Sequence, residues 1–276
     1  MPLCPARTIS SVKDVYTMGY LISIILQVML QIPAVRITAV TVLPSILLLR
    51  YVRKKDTLEK EPPRLIWSLF GLGALSTAIA FVLELGSLAA LNAIAKEGSG
   101  LYTFLHWYVA VGLVEELSKY LILYLRTWQS REFNCLFDGL VYAVAISAGF
   151  ALAENIVYLI KYGASIMLFR AVVSIPAHIC FSVFMGSFYG ATMKYSFAGD
   201  ELKAALCHVL SILIPALAHG LFDHLATIVS DAAGMLPFLG YTAVMFIVCW
   251  ILIRRLSAKD RYFNGQDEDS SFTPAP

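Results

Sequence analysis

Seven long apolar stretches dominate the sequence and limit what the chain can fold into. Each is as long as the roughly 17 to 25 apolar residues that a helix needs to cross a bilayer. Hydrophobic residues make up 59% of the chain and charged residues 14%, against about 45–50% and 25% in soluble domains. This pattern excludes a soluble enzyme and predicts an all-α bundle of membrane helices. The stretches are 36–52, 65–92, 103–125, 137–160, 168–193, 204–230 and 237–253.

An eighth stretch, 14–31, is apolar but contains Gln27 and Gln31. It could span the membrane or lie at its surface; we count it as a span and predict about eight transmembrane helices. The chain then divides into an N-terminal extension with this possible first membrane helix (1–35), a membrane domain (36–256) and a disordered cytoplasmic tail (257–276).

Lysine and arginine are distributed unevenly between the two sides of the predicted bundle. Sixteen fall on one side and only four on the other, with Lys119 inside a span. Because cytoplasmic loops are enriched in basic residues, the first side is predicted to be cytoplasmic. With eight spans, both termini are cytoplasmic in a multi-pass protein of the plasma membrane. The net charge of +2 and the absence of a basic stripe argue against a nucleic-acid partner.

Seven ionisable side chains stand out because they lie inside the predicted spans, where a charge costs about 2.5–3.5 kcal/mol. Such groups must face the bundle interior or a hydrated cavity and satisfy one another. Two pairs have the i,i+4 spacing that places both members on one helix face. We predict that all seven meet in one cluster between the midplane and the outer leaflet. They are Glu115, Glu116, Lys119, Glu154, His178, His219 and Asp223.

This combination of carboxylates and imidazoles is suited to hydrolysis of an amide bond. A carboxylate can accept a proton from water, and an imidazole can stabilise an oxyanion. Alternatively, two histidines with a carboxylate can bind zinc, which would activate the water itself. The motifs H-E-x-x-H and G-x-G-D are absent, so the site is of another kind.

A proton- or ion-coupled transporter is the alternative from a different class, since chains of Glu, Asp and His also mark proton paths. Transporters usually contain internal repeats with paired broken helices. Here the Glu-Glu block and the His-x-x-x-Asp block each occur once, which favours a hydrolase.

Four sequence blocks, in this order, resemble the PrsW family of intramembrane proteases over residues 46–255. The resemblance implies that 36–256 is a protease domain. It also implies an endopeptidase that cuts a single-span membrane protein near its extracytoplasmic side, such as an anti-sigma factor at the first step of stress signalling. The family is similar to the CAAX prenyl endopeptidases. A CAAX-type or bacteriocin-processing protease is therefore a second hypothesis within the hydrolase class. The blocks are Glu115-Glu116-Leu117-Ser118-Lys119, Asp138-Gly139 to Glu154-Asn155, Pro176-Ala177-His178 and His219-Gly220-Leu221-Phe222-Asp223.

The resemblance also implies roles for the site residues. Glu115 would activate the water with Glu116 as its partner, and His219 and Asp223 would stabilise the oxyanion and orient the imidazole. Glu154 stands where the CAAX enzymes have a histidine. We favour a metal-free, glutamate-based site; in the alternative, metal-dependent form the metal is zinc and the expected ligands are Glu154, His178 and His219.

Two further charged residues are not assigned to the site, although the first, Arg170, precedes the Pro176-Ala177-His178 block of the resemblance. Arg170 is interpreted as an anchor at the outer interface, where arginine side chains reach the polar headgroups. Glu84 is one more carboxylate inside a predicted span, without an evident partner in the sequence.

Overall fold

Seven long helices form the part of the chain that the computed structural model describes, which is residues 20, 23, 33–229 and 231–263. Short helical segments precede α3 and α5. Within these residues, extended backbone pairs at a single isolated bridge, between Cys135 and Tyr262. The predicted all-α fold class is confirmed. The helices are α1 (Pro33–Lys55), α2 (Pro63–Ile94), α3 (Val114–Thr127), α4 (Asp138–Tyr162), α5 (Ile175–Phe197), α6 (Glu201–Thr227) and α7 (Ala232–Ala258).

The helices have the length and composition of membrane spans. Six of those described are long and apolar enough to cross a bilayer. A seventh helical stretch, 100–127, contains α3 and carries the charged residues Glu115, Glu116 and Lys119. The chain is therefore a multi-pass membrane protein. Apart from residues 20 and 23, the predicted span 14–31 lies outside the described residues, and the total of eight spans stays a prediction.

Helix α4 is the centre of the bundle. Every residue from Asp138 to Ala151 is buried, as expected of a helix that is apolar on all sides. Two glycines let α2 and α4 approach closely: a Cβ on Gly149 would overlap the carbonyl oxygen of Phe70, and one on Gly73 would overlap that of Ile146. Small residues bring membrane helices together in this way, and they fix the position of α4 relative to α2.

Two wide helical turns precede the regions that carry the predicted site. A π-helical segment, Leu105–Leu113, leads directly into α3, and a second, Arg170–Ser174, leads into α5. Such segments are rare and occur frequently at functional sites. Pro215 lies inside α6, four residues before His219, where its ring removes one backbone hydrogen bond. Irregular helix geometry therefore adjoins three of the site segments.

The loop between α1 and α2 is buried against one end of the bundle. Asp56 and Glu61 are 1% and 3% exposed, and Glu61 Oε2 accepts a hydrogen bond of 2.7 Å from the Tyr142 hydroxyl. Burial raises the pKa of Asp56 to about 6 and the pKa of Glu61 to about 8. This loop therefore holds protonatable carboxyl groups away from water.

The start of the predicted disordered tail packs against the same end. Helix α7 continues to Ala258, beyond the expected boundary at 257. The amide of Phe137 donates to Asp260 Oδ1 at 2.9 Å, and the amide of Phe263 donates to the carbonyl of Asn134 at 2.9 Å. These bonds satisfy backbone groups just before α4 and connect Asp260 and Phe263 to that segment. Residues 264–276 of the predicted tail lie outside the described residues.

Candidate active site

The carboxylates and imidazoles predicted to meet do come together, from four separate helices. Glu115 and Glu116 lie on α3, Glu154 on α4, His178 on α5, and His219 with Asp223 on α6. One potential ligand atom from each of Glu115, Glu116, His178 and His219 lies within 4.8 Å of the others, and all four residues are buried. Hydrogen bonds and ion pairs connect Glu154 and Asp223 to this group.

Lys119 connects the carboxylate pair to the first histidine. Its side chain is fully buried, and Nζ lies 2.7 Å from Glu116 Oε1 and 3.6 Å from Glu115 Oε2. The same nitrogen lies 3.2 Å from His178 Nδ1. A lysine ammonium only donates, so His178 Nδ1 is the acceptor and its proton is on Nε2. Lys119 thus offsets the negative charge of the pair and selects the tautomer of His178.

His219 lies between three carboxylates. Its Nδ1 is 2.9 Å from Glu116 Oε1, and its Nε2 is 3.3 Å from Asp223 Oδ2 and 3.9 Å from Glu115 Oε2. Its ring stacks on Phe181 with a centroid separation of 4.5 Å. Carboxylates flank both ring nitrogens, and only the imidazolium can donate from both. The ring is therefore held in position and arranged as a hydrogen-bond donor.

Glu154 is bound by two donors on other parts of the chain. Its Oε2 accepts from Arg170 Nη2 at 2.6 Å and from His178 Nε2 at 2.8 Å. Arg170 Nε also donates to Asn155 Oδ1 at 2.6 Å, and the arginine is only 7% exposed. The interpretation of Arg170 as an interface anchor is wrong, because its guanidinium is buried against Glu154 and Asn155.

Sequence reasoning missed Arg170 as part of this network. Arg170 belongs to the π-helical segment before α5, and Glu154 belongs to α4. Helical spacing shows only which residues of one helix share a face. The available signal was the immediate sequence: Asn155 follows Glu154, and Arg170 lies shortly before Pro176-Ala177-His178.

The network borders a cavity of about 790 Å³, within the range of typical ligand sites. Five of the six carboxylate and imidazole residues of the predicted cluster line it. Glu116 is fully buried behind them and is not part of the cavity wall. The remaining wall is mainly apolar, including Phe81, Trp107, Phe150 and Phe169. An apolar peptide segment can therefore lie directly beside the polar network. The five residues are Glu115, Glu154, His178, His219 and Asp223.

The donor set fits a divalent metal ion. Carboxylate oxygens and imidazole nitrogens are the ligands that zinc accepts, and Glu115, Glu116, His178 and His219 supply two of each within 4.8 Å. Glu115 Oε2 and Glu116 Oε2 are also buried without a hydrogen-bond partner in the described part of the chain. These four residues would hold such an ion.

The cluster differs from the expected metal site in two ways. Glu154 was expected as a ligand with His178 and His219, but it is not one of the four close donors. Its Oε2 is already bound by Arg170 and His178. In addition, Lys119 contacts three of the four donor residues, so its ammonium group competes with a metal for the same atoms.

Comparison with known proteins identifies relatives over most of the chain. The sequence model of one family, described as PrsW family intramembrane metalloprotease, matches residues 61–253. "Protease PrsW" of Bacillus subtilis (strain 168) is 31% identical over 217 residues, which cover 77% of this chain and 90% of the relative. "Protease PrsW" of Clostridioides difficile (strain 630) is 33% identical over 191 residues, covering 68% and 77% respectively.

No solved structure matches the chain. The family match spans α2 to α7 and includes all seven residues of the predicted cluster. The expected resemblance is confirmed, and so is the expected class of enzyme, a peptidase. The chain belongs to the PrsW family of intramembrane proteases.

Proposed function

We propose that this protein hydrolyses a peptide bond of a membrane-spanning substrate at the cluster formed by α3, α4, α5 and α6. The observation that carries the proposal is the buried group of two carboxylates and two imidazoles at the wall of a largely apolar cavity. Charges inside a membrane bundle are costly and mark function. Here they lie beside a space that a peptide segment can occupy. The proposed catalytic residues are Glu115, Glu116, Glu154, His178, His219 and Asp223.

Glu115 is the residue that activates the water. Of the adjacent pair, it is the carboxylate that lines the cavity, and its Oε2 has no hydrogen-bond partner within the described residues. Glu116 is held behind it by Lys119 and His219. In the reaction, Glu115 accepts a proton from water as the water oxygen attacks the carbonyl carbon. The proton then passes to the amide nitrogen as the C–N bond breaks.

His219 supplies the donor for the oxyanion that forms during attack. Its Nε2 lies 3.9 Å from Glu115 Oε2, so donor and base face the same small volume. Asp223 and Glu116 hold the ring on both sides. A positioned donor of this kind stabilises developing negative charge. Glu154 acts on the other side of the cluster by orienting His178.

A metal-dependent form of the same reaction is supported by the donor set. A bound divalent ion would polarise the carbonyl group and lower the pKa of water. Glu115, Glu116, His178 and His219 would then hold the ion instead of acting on water alone. Metal content of the purified protein, with activity measured after chelation and after metal is restored, separates the two mechanisms. Full activity in metal-free protein supports Glu115 as the activating group.

The substrate side and topology are part of the proposal. The excess of basic residues on one side supports cytoplasmic termini and eight spans in the plasma membrane. Along their helices, Glu154 and His219 are each eight residues from the end predicted to be outer, about 12 Å deep. Cleavage would then occur towards the extracytoplasmic side. A single-span membrane protein, such as an anti-sigma factor, is the proposed substrate.

The decisive test is cleavage of single-span membrane proteins tagged at both ends, with wild type and with Glu115→Gln and His219→Ala variants. We expect fragments with wild type and a loss of about 100-fold or more in each variant. Glu97→Gln is the matched control, because Glu97 is exposed in the loop after α2. Variants that cut as fast as wild type would refute the proposed site.

Two measurements separate the alternative functions. Mass spectrometry of membranes from cells with and without the protein identifies the cleaved substrates. It thereby distinguishes an anti-sigma factor from a prenylated protein or a bacteriocin precursor. Proton flux through liposomes that contain the purified protein, in the absence of proteolysis, would favour the transporter.

A further inference from the structure

Glu84 is a cavity residue that no motif accounts for. It lies on α2 and contributes to the cavity wall together with the catalytic cluster. It is close enough to Glu154, His219, Lys119 and Asp223 to interact with them electrostatically. Ten residues separate it from the end of α2 at Ile94, a depth of about 15 Å. Glu84 therefore lies well within the length of α2, half-buried at the cavity wall.

The side chain of Glu84 differs from the other carboxylates of the cavity in lacking a partner. Glu115 pairs with Lys119, Glu154 with Arg170, and Asp223 with His219. Among the described residues, no hydrogen-bond donor or cation lies within bonding distance of the Glu84 carboxylate. An ionised carboxylate in such surroundings is costly unless a donor or cation reaches it.

The charge of the cavity wall favours a cationic occupant. Four carboxylates line it against three basic side chains: Arg170, Lys161 and His219, the last arranged as an imidazolium between carboxylates. Arg170 is already bound to Glu154, while Lys161 lies 5.0 Å from the centre of the Tyr162 ring. The carboxylates are Glu84, Glu115, Glu154 and Asp223.

The position of Glu84 relative to the cluster is held by a contact between helices. Ser87 Oγ, one turn further along α2, lies 2.9 Å from the carbonyl oxygen of Glu84 and 3.3 Å from that of Ala110, and its single hydrogen is shared between these two acceptors. Ala110 belongs to the π-helical segment that leads into Glu115. This contact places the Glu84 turn beside the segment carrying the proposed base. A group bound at Glu84 therefore lies at a defined distance from the bond that is cut.

We infer that Glu84 is a specificity-determining residue that binds a lysine or arginine side chain of the substrate, within a few residues of the scissile bond. This inference rests on the proposed peptidase function of the cavity. The basic side chain supplies the donor that the protein itself does not provide, and the apolar wall accommodates its neighbours. Glu84 takes no part in bond cleavage.

The test is a cleavage profile of the full-length protein in lipid nanodiscs. The probe is a library of peptides that contain lysine and arginine at internal positions as well as at their ends. Mass spectrometry identifies the sites at which the peptides are cut. Wild type is expected to favour a basic residue at one position near the cut. Glu84→Gln should lower that preference roughly tenfold or more while cutting at other sites continues. Glu84→Lys should favour Asp or Glu at the same position.

The controls distinguish this inference from the function on which it rests. Glu97→Gln should keep the wild-type profile, and Glu84→Gln should unfold at the wild-type temperature because the side chain has no partner to lose. Wild-type cleavage without a basic preference, or an unchanged preference in Glu84→Gln, overturns the inference alone. Loss of all cleavage in folded Glu84→Gln also overturns it, by placing Glu84 in the chemistry. If the wild-type protein cuts no peptide, both the inference about Glu84 and the proposed peptidase function are overturned.

Discussion

Replacing Arg170 with glutamine tests whether the Arg170–Glu154–His178 network supports both fold and activity. Arg170 Nη2 and Nε each donate a 2.6 Å hydrogen bond, to Glu154 and Asn155. The glutamine variant leaves a carboxylate that is only 16% exposed, with His178 as its remaining hydrogen-bond partner in the described part of the chain. Breaking a buried ion pair by removing one member costs about 3–5 kcal/mol. We expect that loss in the free energy of unfolding.

Further variants separate the contribution that the charge of Arg170 makes to stability from the contribution of its planar shape. Arg170→Lys keeps the positive charge but lacks the planar fork that reaches Glu154 and Asn155 together. It should therefore recover only part of the lost stability. The double variant Arg170→Gln/Glu154→Gln removes both charges and should recover most of it, because no unpaired charge remains buried. Activity should stay low in the double variant, since His178 loses the carboxylate that orients it.

Thermal unfolding in detergent and cleavage of a tagged substrate measure these effects. A loss of 3–5 kcal/mol should lower the unfolding temperature by on the order of 10 °C. Lys161→Gln is the control, because Lys161 is an exposed basic residue of the same cavity. It should change stability by less than about 0.5 kcal/mol. An Arg170→Gln variant with the unfolding temperature and activity of wild type would refute this reasoning.

Three further predictions address other parts of the molecule. Burial holds the pKa of Glu61 near 8, above its ordinary value of 4.5, so the stability that Glu61 contributes should be greatest below about pH 4.5 and fall as pH rises towards 8. The contribution of Glu61 to this loss is up to about 5 kcal/mol. Unfolding measured across that range should show a shallower slope in Glu61→Gln, where the part due to Asp56, with its pKa of about 6, remains. Gly149→Ala should destabilise the bundle by about 1–3 kcal/mol in thermal unfolding, because its Cβ would overlap the Phe70 carbonyl. Asp223→Asn should reduce the cleavage rate about 10- to 100-fold with little change in unfolding temperature, since Asp223 is partly exposed and orients His219.

The sequence could predict which residues form the polar cluster, for a physical reason that applies to each residue separately. Glu115, Glu154 and His178 lie in apolar helices, where an ionisable group is stable only beside another polar group. Few such groups exist in the sequence, so they had to meet. The same reasoning identified Glu84 but did not place it, because its neighbours in the cavity belong to other helices. Arg170 was misplaced because a basic residue near a predicted span end is equally typical of an interface anchor.

The amino-acid sequence by itself determined the class of the protein and the membership of its polar cluster. Apolar stretches of bilayer length permit little other than membrane helices, and pairs such as Glu115 and Lys119 share a helix face through their spacing alone. Only the tertiary structure decided how residues pair across helices: Lys119 with His178, Arg170 with Glu154, and Glu115 rather than Glu116 at the cavity. These pairings depend on the rotation and relative depth of packed helices. Close contacts such as that of Gly149 with α2 set the rotation and the depth of each helix. The periodicity of a single helix does not encode these contacts.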